Sequence, residues 1–193
     1  MKEMDTACRR TAAVATALTD DQLDVTTPMQ VPAREVLQHL LGLCLAFRDA
    51  AAKLDGTTTR TPPGPSHEPL PADWRADLTD RLDALAAAWR DPGAWEGMTR
   101  AGGVELPGEV CGLVALDEVL VHGWDLAAAS GAAYDVGDAE CDAVLPIVSP
   151  SEEVPDGSDR GDLFGPVVPV ADGAPYFHRV LGLAGRDPGW RPA

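Results

Sequence analysis

The sequence predicts an all-α fold, a bundle of four long helices with shorter helices near the C-terminus and long connecting loops. Two observations carry that expectation. Four stretches place apolar residues at the spacing of a helix that buries one face. Almost no stretch shows the sustained apolar–polar alternation of a half-buried strand. Amphipathic helices of this length bury their faces best against one another, so a bundle is the natural architecture. The 193 residues, 45% of them hydrophobic, suffice for one domain with a proper core, and residues 1–193 read as that single domain.

The first helix runs from about Asp5 to Leu18, with Cys8, Ala12, Ala15 and Leu18 on its apolar face. Asp20 and Asp21 break the pattern. Thr26, Thr27, Pro28 and Pro32 form a connector, and Pro32 suits the first turn of the next helix. The second helix spans about Ala33 to Leu54 and carries a stripe of Val36, Leu40, Leu43, Phe47 and Ala51. His39 lies on one flank of that stripe, beside Glu35, Gly42 and Ala46. Residues 56–71, GTTTRTPPGPSHEPLP, are a loop by composition, with His67 exposed in it. The third helix, about Trp74 to Trp89, faces the core with Leu78, Leu82, Leu85 and Trp89, and Asp91-Pro92-Gly93 stops it. The stretch from Trp95 to Pro107 is irregular, with room for a short hairpin. The fourth helix spans about Gly108 to Ser130 and ends on Gly131, a suitable C-cap. A shorter helix follows from Asp138 to Val148. Ser149 to Gly173 lacks helical periodicity. Its acidic half, SEEVPDGSD, precedes LFGPVVPV, whose Leu163, Phe164, Val167, Val168 and Val170 should dock back on the core. A last helix from about Ala174 to Ala184 closes the chain, with His178 as a surface or packing residue.

Charge narrows the partners. Lys and Arg total 15 against 31 Asp and Glu, a formal charge of -16 spread along the chain. Such a chain repels phosphate backbones and anionic bilayers, which argues against nucleic acid and membrane surfaces. The N-terminus has no apolar signal region, and no apolar run reaches transmembrane length. Cys8, Cys44, Cys111 and Cys141 are far apart with no C-x-x-C pair, so they read as buried thiols of a reduced, cytoplasmic protein. The expected assembly is a monomer or homodimer.

The stretch that suggests chemistry is DEVLVHGWDLAAASG, residues 117–131. Glu118 and His122 are four apart and share one helix face. A carboxylate and an imidazole in that relation are two of the ligands a divalent cation needs. The same pair on a surface helix is also simply a solvated face or a weak ion pair. His39 on the second helix is the third candidate ligand, against the plainer reading of a satisfied core histidine. Asp125 lies three residues beyond His122 and is a candidate to orient it or a bound water, against a reading as a surface carboxylate. Trp124 points elsewhere, to core or interface.

Several stretches together resemble a known family. They are Thr27-Pro28, REVLQHLLG at Arg34 to Gly42, AWRDPGAWEG at Ala88 to Gly97, the GG-x-x-LP of Gly102 to Pro107, DEVLVHGWDLAAASG, FGPVVPV at Phe164 to Val170 and GRDPGW at Gly185 to Trp190. In this order they resemble actinobacterial metal-binding proteins related to the N-terminal domain of mycothiol-dependent maleylpyruvate isomerase, within the DinB-like superfamily. The resemblance implies an up-down four-helix bundle holding one divalent metal ion on His39, Glu118 and His122. It further implies chemistry in which the metal holds a mycothiol thiol as the thiolate. Two departures bear on isomerase activity itself: Ala128 stands where the family commonly has Arg, and the chain ends without the isomerase's additional C-terminal domain.

Two imidazoles and one carboxylate leave an open coordination position, the mark of a catalytic rather than a structural site. Zinc suits these donors best, and nickel, iron and manganese are compatible. The expected activity is a thiol-dependent transferase or isomerase acting on a small electrophilic substrate. Three alternatives stay open: a metal or small-molecule binding module without turnover, a metal-free pocket adapted to another reaction, and hydrolysis by metal-activated water.

Overall fold

The computed structural model describes residues 2–62, 69–158, 160 and 164–192. His67 and Leu163, both read above, lie outside them. The fold is all-α and DinB-like. Four helices build the bundle: α1 (Lys2–Ala17), α2 (Ala33–Ala51), α4 (Trp74–Ala88) and α6 (Gly108–Ser130). The first pair, α1 and α2, both pack on α4 and α6, so α1 faces α2 across the diagonal. The stripes read from the sequence form the core. Leu37 and Leu40 of α2, Leu78, Leu82 and Leu85 of α4, and Leu116 and Leu120 of α6 are buried together with Met4, Ala7 and Cys8 of α1. Each such leucine contributes about 1.5–3 kcal/mol of transfer free energy.

Local capping chemistry adds elements that periodicity alone does not show. Asp20–Asp24 forms a 3-10 turn, opened by Thr19, whose backbone N–H donates to the Gln22 side chain at 3.0 Å. Part of the expected loop after α2 is a helical turn, α3 (Thr57–Arg60). There the buried Thr59 hydroxyl donates to the carbonyls of Leu54 (3.0 Å) and Gly56 (3.2 Å). Another turn, α5 (Pro92–Trp95), starts where the Asp91 carboxylate accepts the Gly93 N–H at 2.9 Å. The short hairpin pairs β1 (Met98–Ala101) with β2 (Val104–Pro107) through Gly102-Gly103.

Some boundaries differ from the expected ones: the first helix begins at Lys2 rather than Asp5, and the last spans Tyr176–Leu183 rather than Ala174 to Ala184. The second helix stops at Ala51, short of Leu54, because Lys53 turns left-handed, at φ 56°. The Lys53 N–H then donates to Ala50 and the Leu54 N–H to Asp49, the paired bonds of a Schellman cap. The Lys53 ammonium donates to the Ala94 carbonyl at 2.7 Å, a tertiary bond that holds the residue there.

Two further helices follow α6. Helix α7 (Asp138–Val148) packs on α6, and α8 (Tyr176–Leu183) packs on α7. Their buried faces are Cys141, Val144 and Val148, and Phe177, Val180 and Leu181. The described residues between them form no helix or strand. Phe164 packs against the core, and the Val168 N–H donates to the Gly182 carbonyl at 2.9 Å, so the second half of this segment does dock back. All four cysteines are buried and free. Burial pushes their thiols up, to about 12 for Cys44 and Cys111 and about 11 for Cys141, which leaves them inert. Among the described residues, no helix is long and apolar enough to cross a membrane.

Candidate metal centre

Three of the singled-out side chains meet between α2 and α6. Glu118 and His122 share a face of α6 one turn apart, and His39 reaches them from α2. The His122 Nε2 atom lies 2.9 Å from Glu118 Oε2, and His39 Nε2 lies 4.0 Å from the same oxygen. One donor atom from each residue falls within 4.8 Å of the other two. The imidazole rings stand nearly perpendicular, at 84°, with centroids 5.0 Å apart. His122 is almost wholly enclosed, whereas the side chains of His39 and Glu118 keep 25% and 26% of their exposure. The cluster therefore opens to solvent on one side.

Asp125 is not a surface carboxylate. It is 0% exposed, and its Oδ2 accepts the His122 Nδ1–H at 3.1 Å. That bond fixes the tautomer and turns Nε2 toward Glu118. Asp125 is itself held by Arg186, whose Nε donates to Oδ1 at 2.9 Å and whose second guanidinium nitrogen donates to Oδ2 at 3.2 Å. Arg186 lies in the GRDPGW stretch, where nothing in the sequence places it at the site. Its local signal is the Gly185-Arg186 step after an apolar helix. Gly185 adopts φ 77°, its N–H donates to Gly182 and the Arg186 N–H donates to Leu181, a Schellman cap that ends α8 and delivers Arg186 to Asp125. Trp124, 8% exposed, belongs to the core.

The cluster is built to hold positive charge. Burial opposes a charged ring at His122, yet the hydrogen bonds and charges of Asp125 and Glu118 outweigh it and lift the pKa to about 9. Burial likewise pushes the Glu118 carboxyl up. The hydrogen bond from His122 and the charges of His122, His39 and Arg186 overcome it, and the net effect lies below the usual value. Asp117 behaves in the opposite way. Burial first, and then the neighbouring Glu118 charge, raise it to about 8, and its Oδ1 has no hydrogen-bond partner among the described residues.

These residues fit a divalent cation. Two imidazole nitrogens and one carboxylate oxygen are the donors zinc takes when a coordination position stays open. The His122 Nδ1 is engaged by a carboxylate, the arrangement commonly found behind a metal-bound histidine.

A helical bundle with a two-histidine, one-carboxylate cluster between facing helices defines a DinB-like protein with a candidate metal site. The chain belongs to the mycothiol maleylpyruvate isomerase N-terminal domain family, whose model matches residues 4–127. His39, Glu118, His122 and Asp125 lie within the match, and Arg186 lies beyond it. No curated protein and no solved structure matches the chain.

Proposed function

We propose that His39, Glu118 and His122 hold one divalent metal ion, zinc by preference, and that the protein is a thiol-dependent transferase or isomerase. Mycothiol, named in the family's description, is the proposed thiol, and a small electrophile is its acceptor. The observation that carries the reading is the convergence of these three donors, from two facing helices, within 4.8 Å. Bound there, a cation would supply the charge that favours the thiolate, the nucleophilic form of a thiol.

The chain's own residues prepare that position. Glu118 offsets part of the cation's charge. Asp125 and Arg186 hold the His122 ring so that Nε2 faces the cluster. The partial exposure of His39 and Glu118 leaves an approach for a small molecule. The four buried, free cysteines fit a reducing, cytoplasmic setting and lie outside the cluster.

Elemental analysis of untagged protein, beside His39→Ala and Glu118→Ala, tests the site. About one equivalent of metal in the wild type, lost in both variants while helicity persists, is the expected result. Thiol-dependent turnover that disappears in the same variants then supports the enzyme. Metal retained without turnover would favour a binding module. Folded wild type that takes up no divalent cation on reconstitution overturns the reading.

A further inference from the structure

We propose that Arg160 is a positioning residue of the metal centre: it ties the ends of α7 and α8 together and thereby holds Arg186 against Asp125. The inference rests on the metal reading above and gives the irregular C-terminal region a part in the site.

The guanidinium of Arg160 is spent on main-chain carbonyls. One terminal nitrogen donates to Val148 and to Leu183, both at 2.7 Å, the other donates to Gly165 at 2.8 Å, and Nε donates to Gly157 at 3.3 Å. Val148 and Leu183 are the last residues of α7 and α8. Their carbonyls are among those a helix leaves without an internal partner, at the negative end of its dipole. One nitrogen of this planar cation joins both helix ends while the others reach Gly165 and Gly157, a spread that a single lysine ammonium lacks.

From Leu183 the connection to the site is short. A β-carbon on Gly185 would lie 2.7 Å from the Gly165 Cα, so the α8 cap sits directly on the residue that Arg160 grips. The next residue, Arg186, holds Asp125, and Asp125 holds His122. Gly157 makes room at the other end. Its φ is 67°, and a β-carbon there would lie 2.4 Å from Arg160 Nε. Substituting Gly157 therefore displaces the guanidinium without changing charge.

The test is zinc affinity, measured by chelator competition on refilled wild type, Arg160→Met, Arg186→Met and the double variant. Direct partners of metal-bound histidines are typically worth about 10–100-fold in affinity; Arg186 acts one contact further out, through Asp125, so Arg186→Met should weaken zinc by up to about tenfold. Arg160→Met should weaken it several-fold, and the double variant should bind no more weakly than Arg186→Met alone, because both act through one chain of contacts. Gly157→Ala should shift affinity in the same direction, and it decides the matter if Arg160→Met does not fold. A role confined to stability would lower the melting temperature and leave the affinity of the folded protein unchanged. Zinc affinity in both Arg160→Met and Gly157→Ala within about twofold of wild type overturns the proposal, as do losses that multiply in the double variant. A wild type that binds no zinc removes the metal reading and this inference together. Tight zinc binding that ignores residue 160 removes this inference alone.

Discussion

Asp117 and Asp125 are two carboxylates on one helix with opposite fates. Both are buried, at 3% and 0% exposure. Asp125 meets a guanidinium and an imidazole, whereas Asp117 is raised to about 8 by burial and by Glu118. The sign of the linkage follows. A carboxyl whose folded pKa lies above its unfolded value stabilises the fold most at low pH, and that contribution is lost as pH rises from the unfolded value through about 8. Asn at 117 cannot ionise. Thermal melts of metal-free wild type and Asp117→Asn across this range should therefore diverge, with the wild type losing stability relative to the variant until about pH 8 and running parallel above it. Parallel curves throughout would mean that Asp117 is ionised without penalty in the fold. The residue scale also shows what the sequence could say about the site. The Glu118/His122 spacing is a local helical relation, legible from the period alone. The Asp125–Arg186 bond joins residues 61 positions apart, and nothing local distinguishes Asp125 from a solvated carboxylate.

At the scale of elements, the long helices were legible because their apolar stripes repeat, and α6 runs from Gly108 to Ser130 as its pattern and terminal glycine imply. Ends and short turns were less so. Lys53 ends α2 in a left-handed conformation that sequence preference assigns to glycine, and a tertiary bond to Ala94 accompanies it. The turns α3 and α5 rest on side-chain caps rather than on periodicity. Gly131 and Gly185 end α6 and α8 with similar angles, φ 72° and 77°. Their surroundings differ. A β-carbon at 131 meets nothing within 4 Å, while one at 185 would press on Gly165 at 2.7 Å. Gly131→Ala should cost only the left-handed penalty, about 1–2 kcal/mol. Gly185→Ala adds a backbone clash that no rotamer relieves, so its cost in urea unfolding should exceed that of Gly131→Ala by at least about 1 kcal/mol. Equal costs would show that the α8 cap moves freely away from Gly165.

The whole molecule places this cluster in an acidic field. The family match covers the helices that carry His39, Glu118 and His122, and the region beyond residue 127 supplies Arg186, so the centre is assembled across the length of the chain. That assembly was the least legible feature, because an irregular segment has no period from which to read its packing. The charge, by contrast, was readable at once: 31 acidic against 15 basic residues. A field of that sign concentrates cations near the surface and disfavours anions. Raising ionic strength from about 0.01 M to about 1 M shortens the screening length from about 30 Å to about 3 Å. The distant carboxylates would then cease to act on an arriving cation, while the proposed donors His39, Glu118 and His122 still would. Zinc affinity, measured in a salt whose anion does not bind zinc, should fall by about tenfold over that range, with most of the change in the association rate. The enclosed Asp125–Arg186 pair is screened far less, so the weakening should be nearly the same in Arg186→Met as in the wild type. A flat salt profile would mean that the contacting donors alone set the affinity and that the acidic surface serves another purpose, such as keeping the protein dispersed.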